Sequence, residues 1–240
     1  MPDMKLLPAG DRALVAEFGD TIDPEVNRRV HCLAAALLEQ KQPGILELVP
    51  TFRSLLIHYD PSLLSWERLC RILKKLESSD GGKAQERKII RKIPCCYGSH
   101  FGPDLPALAQ EKGLTRDEIV ALHSGKDYKI YMLGFLPGFV YLGELDKRLE
   151  AGRLPAPRLK IPKGSVGIGG SQTGVYPLDS PGGWRLIGAT PLDFYDAGRD
   201  EPVMCHAGEY IRFCPITSSE YYDIRQMILK GKYQPEILSL

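Results

Sequence analysis

Glycine and proline recur in short phrases through residues 131–196, and this recurrence constrains the fold more than any other feature of the sequence. Three of the phrases are Gly134-Phe-Leu-Pro-Gly138, Gly164-Ser-Val-Gly167 and Ser180-Pro-Gly-Gly-Trp184. Glycine permits a positive φ or a close approach of two backbones, whereas proline fixes φ. Because short runs of strand-forming residues separate the phrases, the segment predicts a small barrel with a pocket built from its loops.

Composition limits the class of protein. The 240 residues suffice for one large domain or two small ones, and the net charge of +1 predicts no general attraction to nucleic acid or to an anionic membrane. The sequence has no apolar run of roughly 18 residues and no secretory signal, so we expect neither a membrane span nor secretion. Its six cysteines include no spaced ligand pair. They predict reduced thiols in a cytoplasm and no metal site.

The first third of the chain alternates between strand and helix patterns. Residues 12–18 predict a strand, and Asp23 followed by Pro24 predicts the start of an amphipathic helix. Strands at 45–49 and 54–59 and a helix after Ser65 follow, with residues 88–93 as a candidate closing strand. This β-α-β-β-α order predicts a two-layer α/β sandwich of the split-βαβ type. The polar segment 78–87 predicts a linker, which gives an N-terminal α/β domain at 1–84 and a second domain at 85–240.

The second domain begins with helices and continues mainly as strands. Residues 104–111 and 115–123 predict a helical hairpin, since Thr115 and Glu118 have the spacing of a capping box. The patterns then predict five strands and a closing helix, at residues 128–132, 165–168, 174–176, 184–187, 210–215 and 218–229. Together with the first domain, they indicate an α+β protein of two domains.

A group of cations is the strongest candidate for a binding site. Arg153, Arg158, Lys160 and Lys163 fall within eleven residues, and the prolines between them hold the segment extended. Such a group suits a carboxylate or a phosphate, although a solvated basic loop remains the alternative on composition alone. Residues with hydrogen-bonding or aromatic side chains extend the candidate site: Gln172, Thr173, Tyr176, Trp184 and Arg185. His123 is open to two interpretations, a contact with its helix C-terminus or a role in the pocket.

Several long phrases occur in the same order as in a known family. They include His123, Gly134-Phe-Leu-Pro-Gly-Phe139, Arg153 with Arg158, Gln172-Thr-Gly-Val-Tyr-Pro177, and Ser180-Pro-Gly-Gly-Trp-Arg-Leu-Ile-Gly188. In these phrases the chain resembles the family of 5-oxoprolinase B subunits, also described as the sporulation-kinase-inhibitor or allophanate-hydrolase-subunit-1-like family. The likeness extends over nearly the whole chain and is looser in the N-terminal part.

The resemblance implies a small α/β domain followed by a cyclophilin-like β-barrel. It also implies a cytoplasmic complex in which this chain acts with the C and A subunits of 5-oxoprolinase, and is inactive without them, to convert 5-oxoproline to glutamate. ATP with Mg²⁺ would phosphorylate the amide oxygen, and no tightly bound prosthetic group is expected. Substrate binding is assigned to nine residues: His123, Arg153, Arg158, Lys163, Gln172, Thr173, Tyr176, Trp184 and Arg185. No catalytic residue is assigned.

The chain also departs from the family pattern. Ala189 stands where arginine is usual, Lys163 stands where a small residue is usual, and Ala207-Gly-Glu209 replaces Pro-Gly-Asp. A second function therefore stays open, in which the chain inhibits a sporulation sensor histidine kinase by binding its dimerisation domain. That role would need an exposed outer surface rather than a polar pocket.

Overall fold

A computed structural model describes residues 3–78 and 88–240. The chain divides into two compact units, Met1–Glu86 and Arg87–Leu240. The predicted linker lies, apart from its first residue, outside the described residues, and so does the boundary at 84/85, which stays a prediction. None of the helices in the described ranges is long and apolar enough to cross a membrane.

The first unit consists of a four-stranded antiparallel sheet and two helices. Its elements are β1 (Lys5–Pro8), β2 (Ala13–Glu17), α1 (Pro24–Gln40), β3 (Ile45–Pro50), β4 (Ser54–Tyr59) and α2 (Trp66–Ser78). The strand order is β1-β2-β4-β3, so β4 lies between the two strands that flank α1. This is the predicted split-βαβ arrangement.

One edge of this sheet differs from the prediction. The edge strand next to β2 is β1. The two strands pair from Lys5 opposite Glu17 to Pro8 opposite Leu14. The candidate closing strand at 88–93 instead lies in the second unit, where its residues 89–93 are part of β5, Ile89–Tyr97. β1 has only four residues and ends in proline. Such a segment shows no clear alternation, and proline is tolerated in it because the strand is at an edge.

The second unit contains the remaining elements. They are β5 (Ile89–Tyr97), α3 (Leu105–Lys112), α4 (Arg116–Ser124), β6 (Tyr128–Leu133), β7 (Val140–Leu142), a 3₁₀ turn (Lys147–Leu149), β8 (Arg158–Ile161), β9 (Ser165–Gly169), β10 (Gln172–Val175), β11 (Ser180–Gly182), β12 (Arg185–Ala189), β13 (Tyr210–Pro215), α5 (Ser218–Leu229) and β14 (Ile237–Ser239).

Seven of these strands close a barrel. Their order is β12-β9-β10-β7-β6-β13-β5, and β5 pairs again with β12. The barrel is mixed because β13 and β5 run parallel. β14 extends the sheet beyond β5, while β8 and β11 form a separate two-stranded ribbon. The predicted α+β fold with a β-barrel is confirmed.

The helical hairpin, α3 and α4, packs against barrel strands. The α4 capping box is present: Glu118 N donates to Thr115 Oγ1 at 3.1 Å, and Thr115 N donates to Glu118 Oε2 at 2.7 Å. Two otherwise unsatisfied backbone N–H groups are therefore paired at the helix start. α4 contacts β13 and α3 contacts β12. These contacts place His123 inside the unit and Asp104, just before α3, beside β12.

Candidate functional site

A cavity of about 330 Å³ lies on the outer face of the barrel wall formed by β7, β9 and β10. Its lining is aromatic and proline-rich, with one cation: Phe135, Phe139, Tyr141, Arg153, Leu154, Pro155, Pro157, Tyr176, Pro181, Gly182, Gly183 and Trp184. We call it the aromatic cavity. Its volume is within the usual range, about 300 to 1,000 Å³, for a small-molecule site.

The floor of the aromatic cavity is Trp184, which lies flat on three glycines. A methyl group on Gly169 would overlap the Trp184 indole, at 2.5 Å from Cε2. One on Gly174 would lie 3.0 Å from Cζ3, and one on Gly167 would lie 3.2 Å from the Trp184 Cβ. Gly167 and Gly169 on β9 and Gly174 on β10 therefore form the surface on which Trp184 packs, which we call the glycine bed. This close approach explains a glycine-rich stretch that has no nucleotide-binding spacing.

Phe139 is the centre of the aromatic wall. Its ring meets Tyr176 edge-on at 5.1 Å, Trp184 edge-on at 5.5 Å and Tyr141 at 4.7 Å. Phe139 and Tyr141 are two residues apart along β7 and its entry, so they share one face of the strand. Sequence reasoning missed both as site residues, along with Phe135. The signal that could have found them was the two-residue spacing in a phrase already rich in glycine.

Arg153 is the only charged side chain among the residues that line the aromatic cavity. Within the described ranges no carboxylate lies at ion-pair distance from its guanidinium, although carboxylates pair with the other cations of the loop. Burial raises the pKa of Tyr141 and of Tyr176, and the charge of Arg153 acts on both phenols in the opposite direction. The cavity thus combines one available cation with two neutral phenols.

The segment that carries Arg153, residues 152–158, is held by hydrogen bonds along its length. Leu154 N donates to Gly183 O at 2.6 Å. Arg185 Nε donates to Gly152 O at 3.2 Å, and its Nη2 donates to Glu111 Oε2 at 3.1 Å. Arg185 is therefore bound between α3 and the backbone next to Arg153, and it does not line the cavity. Arg185 thus positions the backbone next to Arg153.

Arg158 holds the other end of the same segment. Its Nη2 donates to Asp104 Oδ1 at 2.6 Å, and Asp104 Oδ2 accepts from Leu186 N at 2.7 Å. Asp104 therefore connects the segment to β12. The three arginines differ in role, because Arg158 and Arg185 have carboxylate partners within the protein and Arg153 faces the cavity.

The two lysines of the predicted basic loop also form ion pairs away from the cavity. Lys160 Nζ lies 2.9 Å from Asp179 Oδ2, on a largely exposed surface. Lys163 Nζ lies 2.8 Å from Asp193 Oδ1, and Arg225 Nη1 lies 2.7 Å from the other oxygen of that carboxylate. Although burial opposes ionisation of Asp193, hydrogen bonds from Lys163 and Arg225 hold its pKa below the ordinary value.

Ala189, the position where the family usually has arginine, is buried in a small apolar cluster. Its neighbours there are Cys96 and Phe101, with Tyr221 packed against them. The residue does not line the aromatic cavity. The replacement of the family's arginine by Ala189 therefore affects this packed cluster. It does not affect Arg153, the cation that lines the cavity.

His123 and Thr173 belong to a buried network inside the barrel. The His123 Nδ1 lies 2.8 Å from the Tyr97 hydroxyl, and Nε2 lies 2.8 Å from Thr173 Oγ1. Thr173 Oγ1 donates its one hydrogen to Gly167 O at 2.9 Å, so His123 Nε2 must donate and Nδ1 must accept. Burial lowers the pKa of His123 to about 3, which keeps the ring neutral. His123 lies in the last turn of α4, but its ring nitrogens bond to Tyr97 and Thr173, and it does not line the aromatic cavity.

Of the nine predicted site residues, the structure brings three to the aromatic cavity: Arg153, Tyr176 and Trp184. Arg158 and Arg185 hold the segment that carries Arg153, and His123 and Thr173 support the glycine bed from inside the barrel. Gln172 begins β10 outside the lining, and Lys163 pairs with Asp193.

The cysteines form no disulfide, and all six are free. Cys95 packs in the core of the barrel, whereas Cys96 packs in the separate cluster with Phe101. The adjacent thiols point to opposite faces of β5, as an extended strand requires. In the part of the chain that is described, no group of three or more His, Cys, Asp or Glu residues could hold a metal ion.

Comparisons with known proteins agree on one family. Residues 4–205 match the family described as the carboxyltransferase domain, subdomain C and D. The chain is 39% identical over 227 residues to the 5-oxoprolinase B subunit of Bacillus subtilis (strain 168), covering 90% of this chain and 95% of that protein. It is 40% identical over 207 residues to the 5-oxoprolinase B subunit of Escherichia coli O157:H7, covering 86% of this chain and 93% of that protein.

A solved structure shares the fold. The crystal structure of TTHA0988 superposes with a TM-score of 0.78 at 39% identity, over 86% of this chain. The chain spans only 40% of the length of that solved protein.

Proposed function

Since this chain belongs to the family of 5-oxoprolinase B subunits, we propose that it binds 5-oxoproline in the aromatic cavity as part of an ATP-dependent 5-oxoprolinase. The complex would open the lactam to give glutamate. The observation that supports this most is Arg153, a cation without a carboxylate partner in the described residues, in a cavity otherwise lined by aromatic rings and prolines.

The cavity matches the chemistry of 5-oxoproline, a five-membered lactam with one carboxylate. Arg153 would bind the carboxylate through two parallel hydrogen bonds, as guanidinium groups commonly do. Trp184 would contact one face of the lactam ring, and Phe139, whose ring is edge-on to Trp184, would contact its edge. Tyr176, which lines the cavity and whose phenol burial keeps neutral by raising its pKa, would donate its hydrogen to the lactam oxygen.

The same lining does not fit ATP with Mg²⁺. A triphosphate with its metal calls for several cations and for carboxylate ligands to Mg²⁺, whereas the lining provides Arg153 and no carboxylate. We infer that the C and A subunits bind the nucleotide in a cytoplasmic complex. When bound, ATP would supply the phosphoryl group that activates the lactam oxygen. This chain would hold the carboxylate and orient the ring.

Reconstitution with the C and A subunits tests this function. The measurement is 5-oxoproline-dependent release of phosphate together with formation of glutamate, for this chain alone and for the three proteins together. For the complete mixture we expect one phosphate released for each glutamate formed. For this chain alone we expect neither product. A complete, assembled mixture that forms no glutamate would overturn the proposal.

A further inference from the structure

Phe135 has a backbone conformation that disfavours its side chain. It lies in the loop between β6 and β7 with φ 67°, in the left-handed region. A residue with a Cβ is sterically strained there, and a bulky aromatic residue is an outlier. Gly138, in the same loop, takes φ 79° without this cost. Glycine at position 135 would therefore satisfy the backbone better than phenylalanine does.

The Phe135 ring is also exposed, which is unfavourable for so large an apolar group. It is 62% exposed, yet it lines the aromatic cavity and meets Phe139 edge-on with ring centroids 5.8 Å apart. Strain and exposure coincide in one residue at the opening of the cavity. A ligand in the cavity would bury this ring, and strain that persists at such a place points to function.

The loop around Phe135 is tied by its own backbone. Gly134 N donates to Phe139 O at 3.2 Å, and Phe139 N donates to Leu136 O at 3.0 Å. The two hydrogen bonds close the loop onto Phe139, the centre of the aromatic wall. These bonds hold the backbone on both sides of Phe135.

We propose that Phe135 is a specificity-determining residue that covers the lactam ring of the bound substrate. This inference rests on the proposed function of the aromatic cavity. The lactam ring would then lie between the side chains of Phe135 and Trp184. The space between these side chains favours binding of a five-membered lactam over its six-membered homologue, 6-oxopiperidine-2-carboxylate. Phe135 also slows the dissociation of the ligand, since the opening is covered by an apolar group.

Fluorescence of Trp184 provides the test. The chain has two tryptophans, so a Trp66→Phe background leaves Trp184 as the sole reporter. Stopped-flow titration with 5-oxoproline and with 6-oxopiperidine-2-carboxylate is compared for Phe135→Gly, which removes the ring and the strain, and for Phe135→Tyr, which keeps both. Lys41→Gly is the matched control, because Lys41 also has positive φ, 45°, at the end of α1 and outside the cavity.

We expect Phe135→Gly to bind 5-oxoproline about tenfold more weakly, mainly through faster dissociation, with an unfolding temperature no lower than that of the background protein. Its preference for the five-membered ring should fall in parallel. Phe135→Tyr should bind within about twofold of the background, and Lys41→Gly should raise the unfolding temperature without a change in binding. In the reconstituted complex, Phe135→Gly should raise KM for 5-oxoproline by a similar factor.

The two proposals fail in different ways. If the background protein binds 5-oxoproline but Phe135→Gly keeps its affinity, dissociation rate and ring-size preference, Phe135 has no role in specificity. The same conclusion follows if Phe135→Gly leaves binding intact and only weakens assembly with the C and A subunits, which would make the ring a docking residue. If neither the background protein nor the complex responds to 5-oxoproline, the proposed function itself fails.

Discussion

Glycine residues serve two distinct purposes at the aromatic cavity. Gly167, Gly169 and Gly174 leave room for the indole of Trp184, because a side chain at any of them would meet the ring or its Cβ. Gly138 has positive φ, and a methyl group there would lie 2.9 Å from Phe194 O. The first purpose shapes the floor of the cavity, and the second shapes the loop at its opening.

Gly169→Ala tests the glycine bed. Because the new methyl group would overlap the indole, Trp184 must move into the cavity, and we expect 5-oxoproline to bind about tenfold more weakly with a loss of about 1 to 3 kcal/mol in the free energy of unfolding. Calorimetric titration and chemical denaturation measure the two effects. Gly198→Ala is the control, since Gly198 is not in the cavity lining and the nearest atom to its added methyl group, Asp196 Oδ1, is 3.4 Å away. Unchanged binding by Gly169→Ala would refute the role of the bed.

His123 predicts a pH dependence of stability. Its pKa is about 3 in the folded protein because burial disfavours the imidazolium, whereas the ordinary value is 6.5. Between these values the unfolded chain binds more protons, so stability contributed by neutral His123 is complete above about pH 6.5 and decreases as the pH falls, by at most about 1.4 kcal/mol per pH unit.

Denaturant unfolding between about pH 6.5 and pH 5 measures this effect, above the range where most carboxylates titrate. His123→Gln keeps one donor and one acceptor but does not titrate. We expect its stability to vary less with pH than that of the wild type. Parallel pH profiles for the two proteins would show that His123 does not titrate on unfolding in this range.

At the scale of elements, the segment 152–158, which carries Arg153, is held in position by side chains from other elements. Arg185 and Glu111 tie one end to α3, and Arg158 with Asp104 ties the other end to β12. These contacts link three stretches of chain that are far apart in sequence. The position of Arg153 therefore depends on residues that do not touch the cavity.

Arg185→Ala should misplace Arg153 without removing it. We expect KM for 5-oxoproline in the reconstituted complex to rise by about threefold to tenfold, with kcat within about twofold of wild type, because binding and not chemistry is affected. Glu111→Gln, which keeps the Arg185 contact to Gly152 O, should have a smaller effect of the same kind. A large fall in kcat with unchanged KM would instead place Arg185 in the reaction itself.

The predictability of the elements follows from their local signals. Asp23 at the start of α1 and the Thr115–Glu118 capping box were predictable because the pairing groups lie two to three residues apart. β7, β8, β11 and β14 were not predicted as strands. Each has three or four residues, too few for a clear alternation of apolar and polar side chains.

At the scale of the whole molecule, the barrel and its family could be predicted, whereas the site could be predicted only in part. The order of the glycine and proline phrases was enough to indicate the family. Arg153, Arg158 and Lys163 are close in sequence but only Arg153 lines the cavity, since sequence proximity does not show the carboxylates that fold beside Arg158 and Lys163. The inhibition of a sensor kinase stays a prediction, because no contact of the described residues bears on it.

The central claim is that Arg153 binds the carboxylate of 5-oxoproline in the aromatic cavity. The most direct measurement compares the affinity for 5-oxoproline with that for 2-pyrrolidinone, which lacks the carboxylate, in wild type, Arg153→Ala and Lys160→Ala. Lys160 is the matched control, a 72% exposed cation of the same basic stretch whose partner is Asp179. We expect wild type and Lys160→Ala to prefer 5-oxoproline by about tenfold to a hundredfold, and Arg153→Ala to lose that preference. Retention of the full preference by Arg153→Ala would contradict the account.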